Sequence, residues 1–302
     1  MAAAGEWPDR TTWPWEPQWV EVDGGRMHYV RVGEGPRLVL VHGTPTWSYE
    51  WRHVIRQFAT SHEVIAVDHL GFGRSERPVT ASYSPESHAR RFGQAMTRLA
   101  PDGQVTLVVH DFGGPIALDW ALENARRLRH LVVVNSWMWP LTDDPAMART
   151  ARLAGSGLFR LMYRYMNASL RLIMPSAYGD RRRLTRDVHA QYLAAFPDAD
   201  SRERVLFALA RSLAGSTAFY ATLWSRRERL VDVPASLLWG MKDSAFRPHM
   251  LERWQQALPH AAVHRFPEAG HWPHEEEPEQ FGRVLADLLG TTGPAGFGAV
   301  AS

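Results

Sequence analysis

Chemistry in this chain of 302 residues starts at Asp111. An apolar run, Val105 to Val109, leads into it, and a helix-compatible run, Ile116 to Leu122, leads away. That pattern is a buried strand, a sharp turn and a helix. The nucleophile elbow has the same layout and is written G-x-S-x-G when serine is the nucleophile. Here Val109 takes the place of the first glycine and Asp111 that of the serine. Gly113 and Gly114 follow, where strand and helix backbones pass closely. The substitution changes the reaction. A serine must lose a proton before it attacks. A carboxylate, with a reference pKa of ~3.9, is already ionised at neutral pH. It is a poor acyl-transfer nucleophile, but it can displace a leaving group from a saturated carbon. The resulting alkyl ester must then be cleaved by water, and only that step needs a general base. An isolated aspartate at a strand end has another reading, a helix cap, so the rest of the chain has to decide.

Two further segments carry the missing roles. Leu238-Trp-Gly-Met-Lys-Asp243 puts Asp243 in the loop after a strand, and Gly270-His-Trp-Pro-His274 follows the strand-like run Ala262–Phe266. His271 is the expected base for water, and Asp243 the acid that fixes its tautomer and stabilises the imidazolium. With 14 histidines in the chain, a lone one is more often structural. His271 is favoured over His274 by its spacing from the strand end and by the glycine before it. A fourth segment, His42-Gly-Thr-Pro-Thr-Trp47, follows the strand Leu38–Val41. Its turn can aim the Thr44 N–H at the site, with the Phe112 N–H as the second donor of an oxyanion hole.

The elements that must position these groups follow from periodicity. Trp19–Val22 and Arg26–Val30 flank Asp23-Gly24-Gly25 and read as a hairpin. Strand-like runs follow at Leu38–His42, Val64–Asp68, Val105–His110 and Leu131–Asn135. Tyr49–Phe58, Pro85–Leu99 and Ile116–Ala125 between them are helix-compatible. Alternation of this kind predicts an α/β fold with a mostly parallel sheet. The pattern resumes with Ala235–Trp239, a helix near Pro248–Leu258, the strand Ala262–Phe266 and a last helix at Pro278–Leu289. Between Asn135 and Asp232 the strand rhythm stops. Leu158, Leu161, Met162 and Tyr165 there have helical spacing, which predicts a helical cap over the carboxyl ends of the strands. The expected organisation is a core of residues 19–135 and 233–290, a cap of 136–232, and terminal extensions 1–18 and 291–302, the latter frayed.

Composition excludes several classes. The chain is 45% hydrophobic and 22% charged, with a formal charge of +2, too small to suggest nucleic acid. Lys242 is its only lysine, and Arg181-Arg182-Arg183 reads as a solvated helix face. No cysteine is present, which removes disulfides, thiolate metal sites and a thiol nucleophile. No run approaches the ~18 apolar residues of a membrane span, and no signal peptide is read at the N-terminus, so the cytoplasm is the expected location. His271-Trp-Pro-His274-Glu275 groups metal-ligand types without a third ligand that can be placed; neither metal nor cofactor is expected.

These motifs resemble the α/β-hydrolase superfamily and, within it, the haloalkane dehalogenases. The resemblance runs from about Trp19 to Leu289. It is carried by His42–Tyr49, Asp68-His-Leu-Gly-Phe-Gly-Arg-Ser75, Val109–Ile116 and Gly240–Arg247. It implies an eight-stranded sheet with an inserted cap, and the family's chain order of nucleophile (Asp111), acid (Asp243) and histidine (His271). Another branch keeps a glutamate acid at the place of Asn135, which cannot serve. Two positions depart from the family. A tryptophan usually follows the nucleophile and holds the halide, and here it is Phe112, with no polar donor. A frequent second donor, asparagine after His-Gly, is Thr44. Replacement donors would be the Thr44 hydroxyl, Trp47, Trp137 or Trp139, with Tyr220 and Trp224 as further pocket residues. Epoxide hydrolases share the aspartate but must protonate an alkoxide, usually from cap tyrosines; Tyr163, Tyr165, Tyr178, Tyr192 and Tyr220 are available. A related β-lactone decarboxylase and a ligand-binding protein that has lost turnover are the other readings. Small hydrophobic substrate and water are the expected partners.

Overall fold

A computed structural model of the chain describes residues 7–291. Eight strands form one sheet: β1 (Gln18–Val22), β2 (Gly25–Val32), β3 (Arg37–Val41), β4 (Glu63–Val67), β5 (Val105–Asp111), β6 (Leu128–Ser136), β7 (Ala235–Gly240) and β8 (Ala262–Phe266). Their spatial order is β1-β2-β4-β3-β5-β6-β7-β8. The hairpin β1–β2 joins β4 antiparallel, and every other pairing is parallel. β5 lies between β3 and β6, and all seven of its residues are buried. A parallel strand covered on both faces reads as a near-continuous apolar run, which is why Val105–Val109, broken only by Thr106, lacks alternation.

The chain runs from β3 to β4 on one side and crosses back to β5 on the other. The β3/β5 pair is therefore the topological switch point, and the crevice beyond its carboxyl ends is where such sheets hold ligands. Both the Thr44 loop and Asp111 emerge there. α1 (Arg52–Phe58), α2 (Pro85–Leu99) and α3 (Gly113–Glu123) link these strands. α2 starts where its signals demand: the Ser84 hydroxyl caps the Ser87 N–H, and Pro85 takes the first helical position. Two expected helices shift. Ser48–Trp51 is a tighter 3-10 turn before α1, and α3 begins at Gly113, directly after the elbow.

Between β6 and β7 the described residues form helices and turns and no strand. This segment lies over the carboxyl ends: the His271 N–H donates to Ala177 O at 2.9 Å. Within it, the helically spaced Leu158, Leu161 and Tyr165 face outward. These side chains are 63%, 54% and 68% exposed. Arg181–Arg183 is a 3-10 turn of exposed arginines, Arg182 paired with Asp180 at 2.8 Å. At the N-terminus, Trp13 is buried against Trp47 and Tyr49, so the described part of the extension packs on the core. Apart from Thr291, the expected frayed tail lies outside the described residues. No described helix is long and apolar enough to cross a membrane.

Candidate active site

Asp111 ends β5 with φ of 49°, in the left-handed region. For a residue with a Cβ this costs about 1 kcal/mol or more and persists only where the surroundings impose it. Here they do. Ser136 Oγ donates to Asp111 O at 2.6 Å. Gly43 passes so closely that a Cβ there would lie 2.3 Å from Asp111 Cβ, and one on Gly114 would lie 1.8 Å from Ser136 Oγ. Glycine at both positions is a steric requirement of the turn, and the turn lifts the carboxylate out of the strand end.

The carboxylate has two different oxygens. Oδ1 accepts the Thr44 N–H at 2.7 Å. Oδ2 faces His271 Nε2 at 3.5 Å. Of the two main-chain donors expected at the site, only that of Thr44 reaches the carboxylate; no hydrogen bond joins it to the Phe112 N–H. On the far side of the imidazole, His271 Nδ1 and Asp243 Oδ2 are 2.6 Å apart. Burial works against a charged His271, but Asp243 and Asp111 outweigh it and raise the pKa to about 10. Asp243 is held below the usual carboxylate range: burial would raise it, but His271 and the Phe246 and Ala245 N–H groups prevail. The Phe246 ring lies parallel to the imidazole, 5.1 Å between centroids, and fixes its plane.

Asn135 has a function that the sequence reading did not give it. Its Nδ2 donates to Asp243 Oδ2 at 2.9 Å, and its Oδ1 accepts the Gly240 N–H at 2.8 Å. It binds β6 to β7 and aims the acid at His271. Removing a hydrogen bond to a charged group costs about 1.5–3 kcal/mol. Asn135→Ala should therefore slow turnover by about 10- to 100-fold with Asp111 and His271 in place. Steady-state product release with a circular-dichroism control on folding checks this.

A second layer lies behind the base. His110 Nε2 is 2.9 Å from His271 O, and His110 Nδ1 is 3.1 Å from Glu50 Oε1. Glu50 also accepts from the Thr46 hydroxyl, and His274 stacks on Trp51 at 4.2 Å. Glu50, His110 and His274 offer ligand atoms within 4.8 Å of one another, so the third ligand type that the sequence could not place does lie beside His274. Yet both nitrogens of His110 are engaged, so a metal would have to displace its bond to Glu50. The cluster reads as a brace on the His271 backbone. Glu275 is committed elsewhere: it pairs with buried Arg52 and accepts from Tyr178 at 2.6 Å and Tyr192 at 2.5 Å.

The expected pocket residues divide. Trp137 is fully buried, edge-on to Phe112 at 4.8 Å, and its indole N–H has no hydrogen-bond partner. The Thr44 hydroxyl is likewise buried and unpartnered. Tyr220 is buried 5.8 Å from Trp137. Tyr163 is buried as well; burial, with the nearby Asp111 charge adding to it, pushes its phenol to about 12. Trp47 sits in a cluster with Trp7, Trp13 and Tyr49, its N–H also unpartnered. Trp139 and Trp224 are not brought to the triad. They pack on each other at 5.3 Å with the Arg253 guanidinium over both rings, 4.9 and 4.7 Å away, and make no ring contact with Phe112, Trp137 or His271. Cation–π pairing claims them instead.

Comparison with known proteins identifies the family. Residues 36–278 match the alpha/beta hydrolase fold family. Haloalkane dehalogenase 2 of Mycobacterium bovis is 33% identical over 284 residues, covering 94% of this chain and 98% of the relative. The cis-3-alkyl-4-alkyloxetan-2-one decarboxylase of Shewanella oneidensis is 27% identical, covering 89% and 87%. The crystal structure of a haloalkane dehalogenase from Bradyrhizobium elkani superposes with a TM-score of 0.80 at 26% identity, covering 91% of this chain and 98% of that one. With the fold, the aspartate elbow and these relatives together, the chain belongs to the α/β-hydrolase family and is an enzyme of its haloalkane dehalogenase-like branch.

Proposed function

We propose that this enzyme hydrolyses the carbon–halogen bond of a small hydrophobic haloalkane through an ester of Asp111. Asp111 Oδ2, the oxygen not held by Thr44, attacks the carbon bearing the halogen. The new C–O bond forms as the C–X bond breaks, and halide leaves with the bonding pair. Loss of the Asp111 charge removes one of the two carboxylates that keep His271 protonated. The imidazolium gives up its proton to solvent, and the neutral imidazole then takes a proton from the water that attacks Asp111 Cγ. The oxyanion forms where Oδ1 already accepts the Thr44 N–H, a donor of a kind worth about 3 kcal/mol. Collapse expels the alcohol, which takes the proton back from His271. The helices between β6 and β7, residues 136–232, act as the cap that excludes bulk water.

The observation that carries the reading is the Asp111–His271–Asp243 geometry, together with two buried donors that have nothing to donate to. A leaving halide needs hydrogen bonds and no proton. The Trp137 N–H, packed on Phe112, and the Thr44 hydroxyl supply them in place of the tryptophan and asparagine this sequence lacks. Each unsatisfied donor costs about 1–3 kcal/mol when buried, a penalty that halide binding would relieve. Trp137→Phe and Thr44→Val should each lower kcat/KM for a bromoalkane by about 10- to 100-fold. Both should leave attack on an epoxide unchanged. Bromide release by the intact enzyme from 1-bromohexane tests the reaction; the absence of release across a chain-length series would contradict it.

Epoxide hydrolysis is the second reading, and Tyr163 and Tyr220 favour it. Both are buried and close enough to Asp111 for its charge to disfavour their ionisation. They are the cap tyrosines left to protonate an alkoxide, since Tyr178 and Tyr192 are bonded to Glu275 and Tyr165 is exposed. Diol formation from styrene oxide without halide release would move the assignment there.

A further inference from the structure

The outward stripe on the cap has no counterpart in the proposed chemistry. Leu158, Leu161 and Tyr165 follow one another at intervals of three and four, so they share one face of the helical stretch 157–166. That face is turned to solvent. Met166, Leu172 and Ile173, a few residues further along, are also exposed. Apolar side chains gathered on one exposed helical face mark a site of contact.

The charge carried by this stretch of the chain is of one sign. Between Asp144 and Asp180 the chain has five arginines and no carboxylate. Arg160 and Arg164 pair with Glu203 from a neighbouring helix. Arg149, Arg152 and Arg171 are exposed and have no ion pair among the described residues. A symmetric contact between two copies would bring these like charges together across an apolar centre. An anionic partner with an apolar interior meets both demands, and a phospholipid bilayer carrying acidic headgroups has that composition.

We infer that the cap docks on the surface of anionic membranes through Leu158, Leu161 and Tyr165, with Arg149, Arg152 and Arg171 on the headgroups. The stripe is the back of the turn whose inner side carries Tyr163 toward Asp111. Docking therefore sets the pocket cover against the lipid phase, where hydrophobic electrophiles concentrate. This placement does not depend on which leaving group the site handles.

Vesicle co-sedimentation tests it. The full chain should bind vesicles containing about one-third phosphatidylglycerol at least tenfold better than pure phosphatidylcholine, and lose most of that binding at high salt. Leu158→Ser, Leu161→Ser and Tyr165→Ser together should abolish binding, and Arg149→Glu with Arg152→Glu should reduce it about tenfold or more. All five residues are exposed, so circular dichroism and melting temperature should stay at wild-type values. Failure of the wild-type chain to bind acidic vesicles at low salt would overturn the inference. So would binding that survives the triple substitution, or a dimer in solution that the triple substitution dissolves.

Discussion

Asp111→Asn should abolish turnover, lowering kcat/KM by at least about four orders of magnitude, as loss of a covalent nucleophile does in other hydrolases. The substitution keeps the volume and the left-handed backbone, which asparagine tolerates well. It also keeps an oxygen for the Thr44 N–H. The negative charge and the attacking oxygen are what it removes. A residue that served only to cap α3 would not behave in this way, because asparagine caps as well as aspartate. α3 has no side-chain cap bond in any case. Steady-state halide release, with the melting temperature as a control on folding, checks the result. Near wild-type activity would remove Asp111 from the mechanism.

His271→Gln should separate the two steps. Alkylation needs no base, so one equivalent of halide should be released at a rate within a few-fold of wild type. Hydrolysis should then stop, with multiple-turnover kcat lowered by about 10³-fold or more. Glutamine is of similar length and can still hydrogen-bond Asp243, which limits disturbance of the buried pair. A stoichiometric burst followed by a flat line identifies the base, since a structural histidine would slow both phases or neither. In wild-type enzyme the same logic can be followed with oxygen: single turnover in labelled water should leave the label on the Asp111 carboxylate.

Those two residues were legible in the sequence because their signals are local. A nearly continuous apolar run, a turn residue and two glycines specify the elbow, and strand ends followed by short loops place Asp243 and His271. The start of α2 was equally readable, since Ser84 and Pro85 are adjacent to the helix they begin. Asn135 was not, because its partner Asp243 is 108 residues away and only the β6–β7 pairing brings them together. The brace from Glu50 through His110 to His271 depends on β5 and two loops in the same way. At the cap, periodicity showed that Leu158, Leu161 and Tyr165 share a face and could not tell which way that face points. Residue type alone points Trp139 and Trp224 to the pocket, and the distant Arg253 that holds both rings has no signal beside them in the sequence.

The most direct test of the central claim is the mass of His271→Gln after incubation with 1-bromohexane, read on the intact chain and on its peptides. The account predicts a gain of one hexyl group per chain, located on Asp111 in the peptide containing His110 and Phe112, with bromide released in equal amount. Bromide released by wild-type enzyme with no adduct on Asp111 of the variant, or an adduct on another residue, would contradict it.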